Sequence, residues 1–118
     1  MEASKWLLLV LILFSACNNG DKATPPDMKF DRAKWDMKND RNYDYRKQMI
    51  NDLLNNYNWP GLPQESVQKM LGKPDVTEED IFMLYHYEQK FVGSMVWSTK
   101  SMVVQLDSFN KVVLARIN

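Results

Sequence analysis

The chain contains one cysteine, Cys17, and one histidine, His86. A single thiol cannot close an intramolecular disulfide, and one Cys with one His cannot assemble a zinc site. Whatever folds here must therefore be held by an apolar core. The 118 residues leave room for one small domain. A chain of about 100 residues, the length left beyond position 16, buries roughly 60 to 70% of its unfolded surface. Eight Met residues and a 12% aromatic content are enough to fill a core of that size. Fifteen basic residues balance fifteen acidic ones, and loss of residues 1–16 would remove Glu2 and Lys5 together. Without a basic excess to neutralise phosphates, nucleic acid is not an expected partner.

The position of Cys17 carries more information than its rarity. Residues 1–5 are short and polar, residues 6–14 (WLLLVLILF) are an unbroken apolar run, and Ser15 and Ala16 precede the cysteine. Nine apolar residues are about half of what a bilayer-spanning helix needs. That length suits the apolar region of a secretory signal, with small residues where a peptidase must approach the backbone. Phe14-Ser15-Ala16-Cys17 also resembles the lipobox of bacterial lipoproteins. The resemblance implies a signal peptide over residues 1–16 and an acylated Cys17, whose palmitate-type chains contribute ~0.8 kcal/mol per buried methylene. Asn18 rather than Asp follows the cysteine, which resembles outer-membrane rather than inner-membrane lipoproteins.

Residues 17–42 read as a lipidated tether and an arm. NNGDKATPPD (residues 18–27) has no apolar run, and Pro25-Pro26 disfavours helix. Residues 28–42 carry Met28, Phe30, Trp35 and Met37 in a spacing that suits neither one helix stripe nor one strand face, so this stretch is expected to lay aromatic side chains onto the domain. The folded unit is placed at residues 43–118. Tyr45, Met49, Leu53 and Tyr57, flanked by Ile50 and Leu54, form the stripe of an amphipathic helix over residues 43–57, with Asn42 as its cap. Residues 64–71 (QESVQKML) form a second helix, with Pro63 at its start and Gly72 as a left-handed stop. Lys73-Pro74-Asp75 then turns the chain. Three or four strands come next: residues 81–88, a weaker strand or wide loop at 91–97 broken by Gly93, residues 101–107, and residues 112–117. Ser108 to Lys111 is a hairpin turn with Asn110 left-handed. Short links make the strands antiparallel. The expected fold is α+β: two N-terminal helices on one face of a three- to four-stranded antiparallel meander, in two layers.

Gly61-Leu62-Pro63-Gln64-Glu65-Ser66-Val67 and Leu71-Gly72-Lys73-Pro74-Asp75 resemble the "G-[ML]-[ST]-x-x-x-V … L-G-x-P" signature of BamE-like (SmpA/OmlA) lipoprotein domains. Phe82 to Tyr87 is similar to that family's aromatic strand, and Val103 to Asp107 with Lys111 to Val113 is similar to its last hairpin. The resemblance covers residues 43–117. It implies a protein-binding accessory in the cell envelope, with envelope proteins as partners. L-G-x-P after a short helix also occurs in β-lactamase-inhibitor-like domains of the same shape, which implies as alternative an inhibitor or immunity-type module.

No cofactor, metal or small-molecule substrate is expected, and the residues point to binding rather than catalysis. His86 lies mid-strand with no Ser or Cys motif beside it, so a structural or surface role outweighs acid–base chemistry. Asp75, Glu78, Glu79 and Asp80 lack the alternation and central Gly of a calcium loop and read as a solvated turn. The partner surface is assigned to aromatic residues near loops and strand ends: Trp59, Phe91, Trp97 and Phe109.

Overall fold

The computed structural model describes residues 25–118. The signal segment, Cys17 and the first part of the tether lie outside the described residues. Those described form an α+β unit with three helices, α1 (Arg32–Asp36), α2 (Arg46–Asn56) and α3 (Gln64–Leu71), followed by four strands. The strands are β1 (Val76–Glu78), β2 (Phe82–Val92), β3 (Met95–Leu106) and β4 (Val112–Ile117). They form one antiparallel sheet in the order β1-β2-β3-β4, so each strand pairs with its neighbour in sequence.

Alternation selects the core. Met83, Tyr85 and Tyr87 of β2, Met102, Val104 and Leu106 of β3, and Val112 of β4 share one cluster with Met49, Ile50 and Leu53 of α2 and Val67 and Leu71 of α3. Trp35 and Trp59 complete it. The arm is thus more than a strap. Trp35 is fully buried, its ring edge-on to Phe30 and tilted against Tyr85.

The arm also solves a problem that α3 cannot solve alone, since the last carbonyls of a helix have no partner within it. Arg32 Nη1 donates to the carbonyls of Lys69 and Met70, Trp35 Nε1 to that of Leu71, and Tyr85 Oη to that of Gly72. Gly72 itself turns the chain with φ +83°, its N–H returned to Gln68. A Cβ at position 72 would lie 2.9 Å from Arg32 Nη2, so glycine also makes room for the guanidinium.

Three boundaries differ from those expected from the sequence. Helix α2 starts at Arg46, and Tyr45 is its N-cap without a side-chain cap bond. Asn42 is drawn away to β2: its amide donates to the carbonyl of Gln89 and accepts from the N–H of Gln89, both at 2.8 Å. Strand β1 lies where the sequence suggests only a turn, because three exposed residues carry no periodic signal. The segment around Gly93 is a tight turn joining two long strands, with Val92 opposite Met95. Only Gly93 of the two turn residues has positive φ, the pattern of a type II′ hairpin. Asn110 has φ +60°, left-handed as expected.

Candidate interaction surface

Two features outside the main core decide what this fold can offer a ligand or partner. The first is a polar junction where arm, α2 and sheet meet. Arg46 is only 3% exposed, yet it is charged. Its guanidinium lies 4.3 Å from the Trp35 ring and 3.3 Å from the Tyr43 ring, and donates to the carbonyls of Trp35 and His86 and to Asp75 Oδ2. Asp75 also accepts from Tyr43 Oη and from the N–H of His86. Burial alone would raise the Asp75 pKa, but the hydrogen bonds from Tyr43 and His86 and the Arg46 charge outweigh it and hold the carboxyl below its ordinary value. Tyr43 is pushed up, by burial first and then by its bond to Asp75.

Nothing in the spacing along the chain signals that His86 meets a hydroxyl. Its Nδ1 is 2.7 Å from Ser101 Oγ, across the β2–β3 pair. Ser101 is 2% exposed, and Asp75 bonds the backbone of His86 rather than its ring. The grouping therefore ties strands together instead of presenting a nucleophile to solvent. The cleft over this junction, about 350 Å³, is lined by Asn39, Arg41, Tyr43, Asp75, His86 and Gln89 among others. Of the four acidic residues expected in a solvated turn, Glu79 and Asp80 form the β1–β2 turn and Glu78 ends β1, but Asp75 is drawn into the junction by Arg46, Tyr43 and the His86 N–H. Among the described residues no three His, Cys, Asp or Glu side chains converge as a metal site, and no helix is long and apolar enough to cross a membrane.

The second feature is apolar surface on the sheet, in two places; Met37, Tyr57 and Phe109 are exposed elsewhere. Beyond the His86–Ser101 pair, β2 and β3 continue as a two-stranded ribbon, since β1 and β4 pair only with their inner parts. Near its tip Val92, Met95, Val96 and Trp97 are exposed, Trp97 to 71%. Trp97 is the extra residue of the bulge where the register shifts between Lys90–Ser98 and Phe91–Val96. The ribbon is braced at its root by Asn42 on Gln89, and by Arg41, whose guanidinium lies 4.9 Å from the Phe91 ring.

The other place is the side of the sheet that alternates away from the main core. Val76, Leu84, Val103 and Arg116 form one row across the four strands, and Glu78, Phe82, Gln105 and Leu114 the next. Leu84 and Val103 are buried at its centre without belonging to the core cluster. A groove of about 160 Å³ is lined by Glu78, Phe82, Leu84, Val103, Arg116 and Asn118.

Of the four aromatic residues assigned to a partner surface, Trp59 is not on the surface. It is 3% exposed and donates from Nε1 to the carbonyl of Leu53, so it closes the end of α2. Its position in a loop before Pro60 hides this, because a loop residue can still fold back onto the core. Phe91 is half-buried under Arg41. Trp97 and Phe109 are both exposed, but Phe109 sits in the β3–β4 turn at the opposite end of β3. The structure thus gathers Phe91 and Trp97 and separates Phe109 from them. It adds Val92, Met95 and Val96, which the sequence reading lacks; the signal that marks them is Gly93-Ser94 as a two-residue turn between apolar neighbours.

No family model matches this chain, and neither the curated proteins nor the solved structures give a significant match.

Proposed function

We propose that this chain is an envelope lipoprotein, anchored through acyl chains on Cys17, whose folded module holds a protein partner at the membrane. The helices Arg46–Asn56 and Gln64–Leu71 form one layer and the meander the other, in a BamE-like arrangement that leaves one sheet face for the partner. The observation that carries this reading is the makeup of that face. Val76 and Leu114 are exposed and Phe82 half-buried around Leu84 and Val103, which the chain itself largely covers, and Glu78, Gln105 and Arg116 form a polar rim. An apolar centre inside a polar rim is the anatomy of a protein–protein contact. Asn18 favours the outer membrane as the site of anchoring.

The test is a photo-crosslinking residue at Leu114 in the full chain expressed in bacterial membranes. Crosslinks to a defined envelope protein, abolished by the exposed-site substitution Val76→Glu with circular dichroism unchanged, are expected. Absence of any crosslinked protein, or a chain without acyl mass on Cys17, would overturn the reading. A second reading, an inhibitor module, is favoured by one observation, the projecting ribbon with an exposed Trp97, which has the form of an element that enters an enzyme cleft.

A further inference from the structure

The ribbon tip has a composition that a protein-docking loop does not require. Residues 91–99 (FVGSMVWST) contain no charged side chain, and residues 89–100 contain no carboxylate. The charges nearest this window are exposed Lys90, exposed Arg41 beside Phe91, and Lys100, which lies opposite Glu88 with its Nζ 4.0 Å from Glu88 Oε2. At about 3.3 Å per strand residue, Lys90 lies ~10 Å behind Gly93. Interfacial elements bury their apolar side ~5–10 Å into the boundary between headgroups and acyl chains. A tip inserted to that depth would leave Lys90 at the level of the lipid phosphates, with an aromatic side chain just below them. That is the layering of aromatic belts and snorkelling lysines at bilayer surfaces.

The arm sets the geometry. Met28 N–H donates to the carbonyl of Gln48, Gln48 Nε2 to that of Pro26, and Asn51 Nδ2 to Asp27, so the chain joins the folded unit alongside α2. Pro25 and Lys47 line the same cleft, and Lys47 Nζ is 3.1 Å from Glu88 Oε2 at the root of the ribbon. The eight steps from Cys17 to Pro25 span at most about 29 Å when fully extended. A chain fixed to lipid at Cys17 is therefore held within reach of the same surface, close to the ribbon root.

We propose that the β2–β3 tip is a second membrane contact, in which Val92, Met95, Val96 and Trp97 enter the interfacial layer of a bilayer while Lys90 and Arg41 meet its phosphates. The reach of the tether depends on acylation at Cys17, as proposed above; the chemistry of the tip does not. Insertion orients the module, turning the tip toward lipid and the β3–β4 turn with Phe109 away from it.

The full chain, purified from membranes and reconstituted into phosphatidylcholine vesicles with and without phosphatidylglycerol, tests this. An environment-sensitive fluorophore is attached at Ser94→Cys in one sample and at Ser108→Cys, at the far end of β3, in another, and the acyl mass on Cys17 is measured in both. The Ser94→Cys probe is expected to shift to the blue and to be quenched by lipids carrying a shallow nitroxide, and the Ser108→Cys probe to do neither. Met95→Ser with Trp97→Ser should abolish the quenching while circular dichroism stays unchanged. An acylated chain whose Ser94→Cys probe stays unquenched overturns the proposal; if that probe is shielded only when membrane proteins are added, the tip docks on protein instead. Should Cys17 prove unacylated, the anchor fails separately, and co-sedimentation of the unlabelled soluble chain with vesicles decides the tip. A loss of about tenfold in partitioning on the double substitution supports it, and no binding by the unsubstituted chain refutes it.

Discussion

Trp35 Nε1 donates to the carbonyl of Leu71 at 3.0 Å, joining residues 36 positions apart inside the core. One side chain thus fills the space between arm, sheet and helices and also satisfies the end of α3. Trp35→Ala should destabilise the chain by about 3–5 kcal/mol, from cavity and lost transfer energy together. Trp35→Phe retains most of the bulk but leaves the Leu71 carbonyl without its donor, and should cost about 1–2 kcal/mol. Urea denaturation followed by circular dichroism measures both, and a Trp35→Ala chain as stable as the parent would show that the arm is only laid on the surface.

Arg46 links three segments through one planar group. Arg46→Ala would leave Asp75 without its countercharge and strip donors from the carbonyls of Trp35 and His86. A loss of about 3 kcal/mol is expected. Arg46→Lys should recover little of it, because an ammonium cannot stack between two rings and reach three acceptors at once. The comparison of the two denaturation midpoints checks this: near-complete rescue by Lys would mean that charge alone matters.

The Asp75 carboxyl sits below its ordinary value of 3.8 in the folded chain. Its stabilising effect is therefore complete above that pH and is lost as the pH falls through the lower, folded value. Asp52, held down by Asn56 and the Phe30 N–H, and Glu88, held down by Lys47, act in the same direction. Thermal melts between neutral pH and about pH 2 should show a steady decline that begins near pH 4. Asp75→Asn should lower stability at neutral pH and make the acid decline shallower. An unchanged slope in that variant would assign the acid sensitivity to other carboxylates.

Glu79 and Asp80 both have positive φ, at 52° and 61°, in the turn where the Ile81 N–H reaches the carbonyl of Glu78. Two left-handed residues in succession make a type I′ turn, which favours Asn-Gly. A residue with a Cβ is strained there. Glu79→Asn combined with Asp80→Gly should stabilise the chain by about 1 kcal/mol. Equilibrium denaturation gives the value, and a destabilised double variant would mean that the two carboxylates contribute contacts beyond the turn.

Much of the architecture can be read from the sequence because it is written in local periodicity. The stripe through Met49, Ile50 and Leu53 defines α2, and Gly72 ends α3 because its positive φ suits glycine. The alternation of Met102, Val104 and Leu106 fixes which side of β3 meets the core. Asn110 marks its turn for the same conformational reason as Gly72.

Long-range contacts decided the rest. Asn42 looks like a helix cap, but it pairs with Gln89, 47 residues away. Trp59 looks like a loop aromatic and lies in the core, while Trp97 is exposed on the part of the β2–β3 hairpin that extends beyond the pairing of β1 and β4. Spacing along the chain encodes the angle of each side chain about its own helix or strand. It does not encode which element lies across from that side chain, and that neighbour determines whether an aromatic residue fills the core or meets another molecule.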